Sequence, residues 1–224
     1  MKKQGFWSNY KKLIKDVVLD YQYLVMLDEA DITIEKERED ASLPSERSQA
    51  ITNFKIAAGL IEGEHYGWWF QDTDVYKWIE TAAYTLENYE DEALKKRVND
   101  VIDIIEKAQD EDGYLSTYYQ LRAPDRKYME LDRSHELYNA GHLIEAAVAY
   151  AKATQETKLL DIAKRYVDHI IAHFGPGKIE GADGHQEIEL ALIKLYDYTQ
   201  DERYLDLSRY FIDIRGEDVE FYTI

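Results

Sequence analysis

Apolar residues recur through this chain at helical spacing. Leu13, Ile14, Val17, Val18, Tyr21, Leu24 and Val25 follow the i, i+3, i+4, i+7 rule of an amphipathic helix. Val75, Trp78, Ile79, Ala82, Ala83 and Leu86 do the same. So do Val98, Val101, Ile102 and Ile105, and then Leu143, Ala146, Ala147 and Tyr150. Only three prolines, Pro44, Pro124 and Pro176, break the pattern. It predicts about eight helices, near residues 9–28, 48–61, 74–89, 92–109, 135–153, 157–172, 186–199 and 202–214, and no convincing strand.

The later helices contain a repeat. "TQETKLLDIAKRYVDHI", from Thr154, matches "TQDERYLDLSRYFIDIR", from Thr199, at an offset of 45 residues. Thr154/Thr199, Gln155/Gln200, Leu160/Leu205, Asp161/Asp206 and Asp168/Asp213 are identical, and "YEDEALKKRVNDVIDII", from Tyr89, is a weaker copy. Each unit is a helix, a short turn and a second helix, which predicts stacked hairpins that bury their apolar faces on one another. An open solenoid and a closed α/α toroid both have this form. The segments entering alternate helices, "EGEHYGWWFQDTD", "QDEDGYLSTYYQLRAPDRKYMELDRS" and "GPGKIEGADG", are long and unalike, which favours a toroid with functional loops at one mouth. A six-hairpin ring needs roughly 350 residues, at about 45–60 per hairpin. With 224 residues the expectation is a single all-α domain, an incomplete (α/α)6-type toroid of about four hairpins. The open sides of such a ring leave apolar faces in water, so self-association or a complementary carboxy-terminal chain is expected.

Composition narrows the function classes. The net charge of −18, with 45 acidic against 27 basic residues, disfavours nucleic acid and anionic membranes as partners. No apolar run approaches a membrane span, and no signal core follows the basic start, so a cytoplasmic location is expected. The absence of cysteine excludes a thiol nucleophile or a thiolate ligand within this sequence. The 19 tyrosines and 4 tryptophans suit a core or a carbohydrate-stacking surface equally well.

"SHELYNAGHLIEAAVAY", from Ser134 to Tyr150, holds the most suggestive chemistry. His135 and His142 stand seven residues apart, about 10.5 Å along a helix, too far to share one zinc ion. Ser134 is a good N-cap, which puts His135 in the first turn and His142 inside the helix as a packed, satisfied histidine. His185 in "ADGHQEIELALIKLY" and Asp72 and Asp74 in "FQDTDVYKWIETAAY" also stand at loop-to-helix junctions. In a toroid these four groups converge on one mouth, where imidazoles both donate and accept hydrogen bonds from sugar hydroxyls. N-capping by the aspartates and a solvated histidine are the plainer alternative. Trp68 and Trp69 suit core or a sugar platform. "QDEDGYL" reads as a helix stop with Gly113 near its end, and Glu136, Glu145, Glu187 and Glu189 as dipole-complementing carboxylates or general acids. No carboxyl pair with glycosidase spacing and no phosphate-binding glycine loop is identifiable.

Five motifs in order carry a resemblance: "FQDTDVYKWIETAAY", "AQDEDGYLSTYY", "SHELYNAGHLIEAAVAY", "FGPGKIEGADGHQEIELALIKLY" and "RYLDLSRYFIDIRG". Together they resemble glycoside hydrolase family 127, the β-L-arabinofuranosidase type, from about Phe6 to Tyr222. The resemblance implies an α/α-six toroid and an exo-glycosidase that releases L-arabinofuranose. It also implies that the histidines of "HELY" and "GADGH", here His135 and His185, contact the sugar. The family's retaining chemistry uses a cysteine nucleophile held on zinc by cysteines and a glutamate, with another glutamate as acid/base. None of those residues maps onto this sequence, so no catalytic or metal residue and no cofactor is assigned to it. The expectation is part of a sugar-binding wall, inactive alone. A non-catalytic carbohydrate-binding or α-helical scaffold protein is the alternative.

Overall fold

The computed structural model describes residues 5–30 and 47–217; Pro44 and Tyr222 lie outside them. The chain forms an all-α, incomplete toroid. Its first helix runs as α1 (Phe6–Leu13), a π turn (Ile14–Val18) and α2 (Leu19–Met26), followed by α3 (Ala50–Ala57), α4 (Asp72–Asn88) and α5 (Glu92–Ala108). Three short pieces then interrupt the series: α6 (Thr117–Leu121), a 3-10 turn (Pro124–Arg126) and α7 (Leu131–Ser134). The series resumes with α8 (Glu136–Thr154), α9 (Lys158–His173), α10 (Ile188–Thr199) and α11 (Glu202–Glu217). The eight predicted helices are present. The short pieces are additional, because helices of five residues or fewer carry no readable period. Among the described residues the only β pairing is an isolated bridge between Phe174 and Ile179.

Helices α2, α4, α8 and α10 lie side by side in one layer, while α3 and α5 adjoin in a second and α9 and α11 back α8 and α10. Helix α8 is central and packs on α4, α9 and α10, which explains its alanine run. A continuous core threads these helices, with Trp78, Tyr76, Tyr114, Tyr150, Tyr166 and Tyr204 among its largest buried side chains.

The repeat has a local physical cause. Gln155 and Gln200 both close their helices in the left-handed region, at φ 64° and 61°. Before each, a threonine hydroxyl donates back to the carbonyl four residues earlier, Thr154 to Tyr150 at 2.7 Å and Thr199 to Leu195 at 2.8 Å. Each hydroxyl then accepts the next turn's N–H, from Glu156 at 3.2 Å and Asp201 at 3.3 Å. The shared Thr-Gln pair thus encodes one helix-ending turn used twice.

The stripe of the first helix behaves differently from the others. Leu13, Val17, Tyr21 and Leu24 are exposed, as are Phe6, Trp7 and Tyr10, while Leu19 and Met26 turn into the core. At the other end of the layer Leu190 on α10 and Ile212 on α11 are also exposed. Apolar faces therefore remain uncovered at both ends of the helix series.

Candidate functional site

The junction of α7 and α8 builds the mouth. Ser134 ends α7, and His135 occupies the N-cap position of α8 at φ 54°. The expectation of Ser134 as N-cap with His135 in the first turn is therefore corrected by one residue. A left-handed non-glycine residue is held there by its surroundings. The cap itself comes from 46 residues away. One Asp183 carboxylate oxygen accepts the N–H groups of Leu137 at 3.0 Å and Tyr138 at 3.2 Å. The other oxygen accepts the N–H of His185 at 2.9 Å. One buried carboxylate thus fixes both histidine-bearing segments. Burial pushes the Asp183 carboxyl up and the three N–H groups pull it back. Beside it, the Gly184 N–H donates to the Leu131 carbonyl at 2.8 Å, and Arg215 of α11 grips the Asp183 carbonyl at 2.7 Å and the Glu189 carboxylate at 2.6 Å.

The result is a clustered wall. The His135 and His185 rings stand 5.7 Å apart between centroids, with His185 exposed and His135 half-buried. Tyr138 lies between them and the interior, 4.5 Å from the His185 ring and 4.5 Å from His142. Its hydroxyl accepts from Lys77 at 2.9 Å. Phe70 lies 5.4 Å from His135 and stacks at 5.5 Å on Trp68. Trp69 is half-buried against the core, and its indole N–H donates to His135 Nδ1 at 3.2 Å. Asn53 and Asn139 pin this aromatic loop through the carbonyls of Tyr66, at 2.9 Å, and Trp69, at 3.1 Å.

His135 Nδ1 has a second neighbour, the Arg133 carbonyl at 2.7 Å. The two neighbours ask opposite things of one nitrogen. When Nδ1–H donates to the carbonyl, Nε2 is an acceptor; when Nδ1 accepts from Trp69, Nε2–H is a donor. Both tautomers leave Nε2 for a ligand, in either hydrogen-bonding role. A sugar hydroxyl, itself donor and acceptor, suits such a group.

The aspartates divide. Asp72 is buried, and its two oxygens accept the N–H of Thr117 at 2.8 Å and its hydroxyl at 2.6 Å. It anchors the start of α6 and does not reach the wall, so its expected place at the mouth is corrected. Asp74 is exposed and bonded by Gln71 at 2.5 Å. It borders a hollow of about 340 Å³ with Tyr21, Ser48, Lys77 and Thr81. Lys77 links that hollow to Tyr138 and hence to the histidine pair.

Other expectations shift as well. Gly113 lies in a loop beyond the end of α5 at φ 92°, where an added Cβ would stand 2.5 Å from the Arg165 carbonyl oxygen. It permits docking on α9. His142 packs under Tyr138 but is not satisfied: its Nδ1 is buried without a hydrogen-bond partner. Glu187 precedes α10 rather than lying within it. Glu136 is buried and bonded to the Tyr114 hydroxyl and, at 2.8 Å, to the Tyr128 N–H.

Burial pushes Glu136 up to about 7 and Asp72 up to about 6. Above the unfolded values near 4 the unfolded chain has released protons that the folded chain keeps, so stability falls as pH rises through this window. His65 and His142, lowered to about 4 by burial, act oppositely below about pH 6.5, where only the unfolded chain protonates them. Above that value the histidines no longer oppose the fall. Glu136 alone then predicts a loss of about 1 kcal/mol between about pH 6.5 and 8. Urea melts of the wild type and Glu136→Gln check this; equal pH slopes in the two proteins contradict it.

The sequence profile of the β-L-arabinofuranosidase, GH127 catalytic domain matches residues 2–223. The chain belongs to this family. It is 47% identical over 224 aligned residues to a non-reducing end β-L-arabinofuranosidase of Bifidobacterium longum subsp. longum, covering 97% of this chain and 34% of that protein. The solved GH127 β-L-arabinofuranosidase of Geobacillus stearothermophilus T6 superposes with a TM-score of 0.88 at 48% identity, over 99% of this chain and 33% of that one. A second solved GH127 β-arabinofuranosidase gives 0.79 at 33% identity, over 97% and 33%. The chain thus spans about a third of the length of the GH127 relatives it matches. No helix among the described residues is long and apolar enough to cross a membrane.

Proposed function

We propose that this GH127 chain supplies part of the wall that holds an L-arabinofuranose-type sugar, and that it does not hydrolyse glycosides alone. The observation that carries the reading is the His135–His185 pair, 5.7 Å apart and jointly fixed by Asp183. His135 Nε2 and the exposed His185 ring supply hydrogen bonds to hydroxyls, while Phe70 and Tyr138 supply apolar surface for the sugar's C–H face. Asp74 and Lys77 extend the polar edge.

The zinc-held cysteine of the resemblance has no counterpart in a sequence without cysteine, so the residues present do not fit that group and no step is routed through it. Turnover then requires residues that this sequence does not contain, supplied by a carboxy-terminal partner on the same polypeptide or on a complementary chain. The uncovered faces around Leu190 and Ile212 at one end, and Trp7 and Val17 at the other, suit such a partner or self-association. A cytoplasmic location is part of the proposal.

Calorimetry of the purified chain with L-arabinose tests the reading. Binding that His135→Ala and His185→Ala each weaken about ten-fold or more, equivalent to at least about 1.4 kcal/mol, is expected. No binding at all indicates a scaffold. Release of arabinose from a β-L-arabinofuranoside by this chain alone, with zinc, overturns the proposed inactivity.

A further inference from the structure

Behind the wall lies a second cluster. His142 and Glu145 are three residues apart on α8, on one helix face. Glu187 reaches them from the segment before α10. One ligand-type atom from each, a histidine nitrogen and two carboxylate oxygens, lies within 4.8 Å of both others. His142 Nδ1 and Glu187 Oε1 are 3.3 Å apart, and each is buried without a hydrogen-bond partner. Buried polar atoms are almost always paired, so two orphans facing each other call for a common partner.

We propose that His142, Glu145 and Glu187 form a divalent transition-metal site that ties α8 to the entry of α10. The backbone is shaped for it. At Gly141 an added Cβ would stand 2.6 Å from Glu187 Cγ and 3.0 Å from the Ile188 nitrogen, so a glycine is needed where Glu187 crosses α8. The histidine offers Nδ1 as a ligand atom, because no hydrogen bond occupies it. Tetrahedral ligands about 2.1 Å from an ion stand about 3.4 Å apart, so the cluster contracts by roughly 1 Å on binding. Flexible carboxylates can supply that movement.

One nitrogen and two oxygens without thiolate select zinc, cobalt, manganese or ferrous iron over copper(I). Lys194, paired with Glu145, is the resident competitor, and the ion must displace it. Glu80 and Lys77 face the cluster from α4. The site lies one side chain behind the wall, since the His142 ring touches Tyr138 at 4.5 Å. It shares no residue with the cysteine-based zinc set of the resemblance.

The test is titration of the purified full chain, freed of metal by chelator, with Zn2+ by calorimetry and with Co2+ by visible absorption. One ion per chain and a cobalt d–d band are expected. His142→Ala and Glu187→Gln should each weaken binding about ten-fold or more, and Lys194→Met should strengthen it. His173→Ala is the control, because His169 and His173 form another histidine pair, stacked at 4.1 Å on α9. Thermal melts show whether each variant is folded. If the cluster variants unfold, Lys194→Met still decides: unchanged affinity overturns the proposal. So does the absence of a cobalt band, or binding lost with His173→Ala and untouched by the cluster variants.

Discussion

Asp183→Ala is expected to lower folding stability by about 3 kcal/mol or more, and to remove sugar binding with it. Three N–H groups, those of Leu137, Tyr138 and His185, depend on this carboxylate. An unsatisfied buried donor costs about 1–3 kcal/mol, and hydrogen bonds to a charged acceptor lie at the upper end of the usual range. The loss falls on function as well as on the fold. Without the cap the first turn of α8 frays, and His135, already in a left-handed conformation, loses one of the constraints that hold it there. Asp183→Asn should lie between. Its carbonyl can still serve Leu137 and Tyr138, but its NH2 then opposes the His185 N–H. Urea denaturation of the three proteins gives the order wild type, Asn, Ala. A loss below about 1 kcal/mol for Asp183→Ala would show that water satisfies these donors.

The sequence makes some of this legible and hides the rest for identifiable reasons. Long helices are legible because burial on one face enforces a period, as along Val75 to Leu86. The histidine pair is legible in position because His135 and His185 both stand just before a long helix, α8 and α10. Asp183 is not, because the α8 groups it caps lie 45 and 46 residues earlier, so a capping aspartate in "GADGH" reads as loop. Asp72 misleads for the mirrored reason. An acid at a helix entrance looks the same whether it serves its own helix, a ligand or Thr117, 45 residues on. Tyr138 had a readable signal, since it stands three residues after His135 on the same face. The unsatisfied state of His142 had none. It depends on where Glu187 arrives, which tertiary packing alone decides.

Gly184→Ala should rival the loss of Asp183 while leaving every hydrogen-bonding group in place. An added Cβ would stand 2.1 Å from the Asp132 carbonyl oxygen and 2.8 Å from its carbon. Both sides of this contact are backbone, so no side chain can rotate away. Overpacking costs about 1–3 kcal/mol where neighbours relax; with two backbones in opposition the upper end, about 3 kcal/mol, is expected. Gly141→Ala meets a softer obstacle. Its nearest neighbour is the Glu187 side chain, and alanine gains about 1 kcal/mol of helix propensity over glycine, so its net loss should be smaller. The two variants also separate function from fold. Gly184→Ala pushes the His185 loop off α7 and should abolish L-arabinose binding even in a chain that still melts cooperatively. Gly141→Ala shifts Glu187 away from His142 and should spare the sugar while weakening zinc. Equal effects of the two alanines on both ligands would mean that the wall and the cluster behind it move as one body.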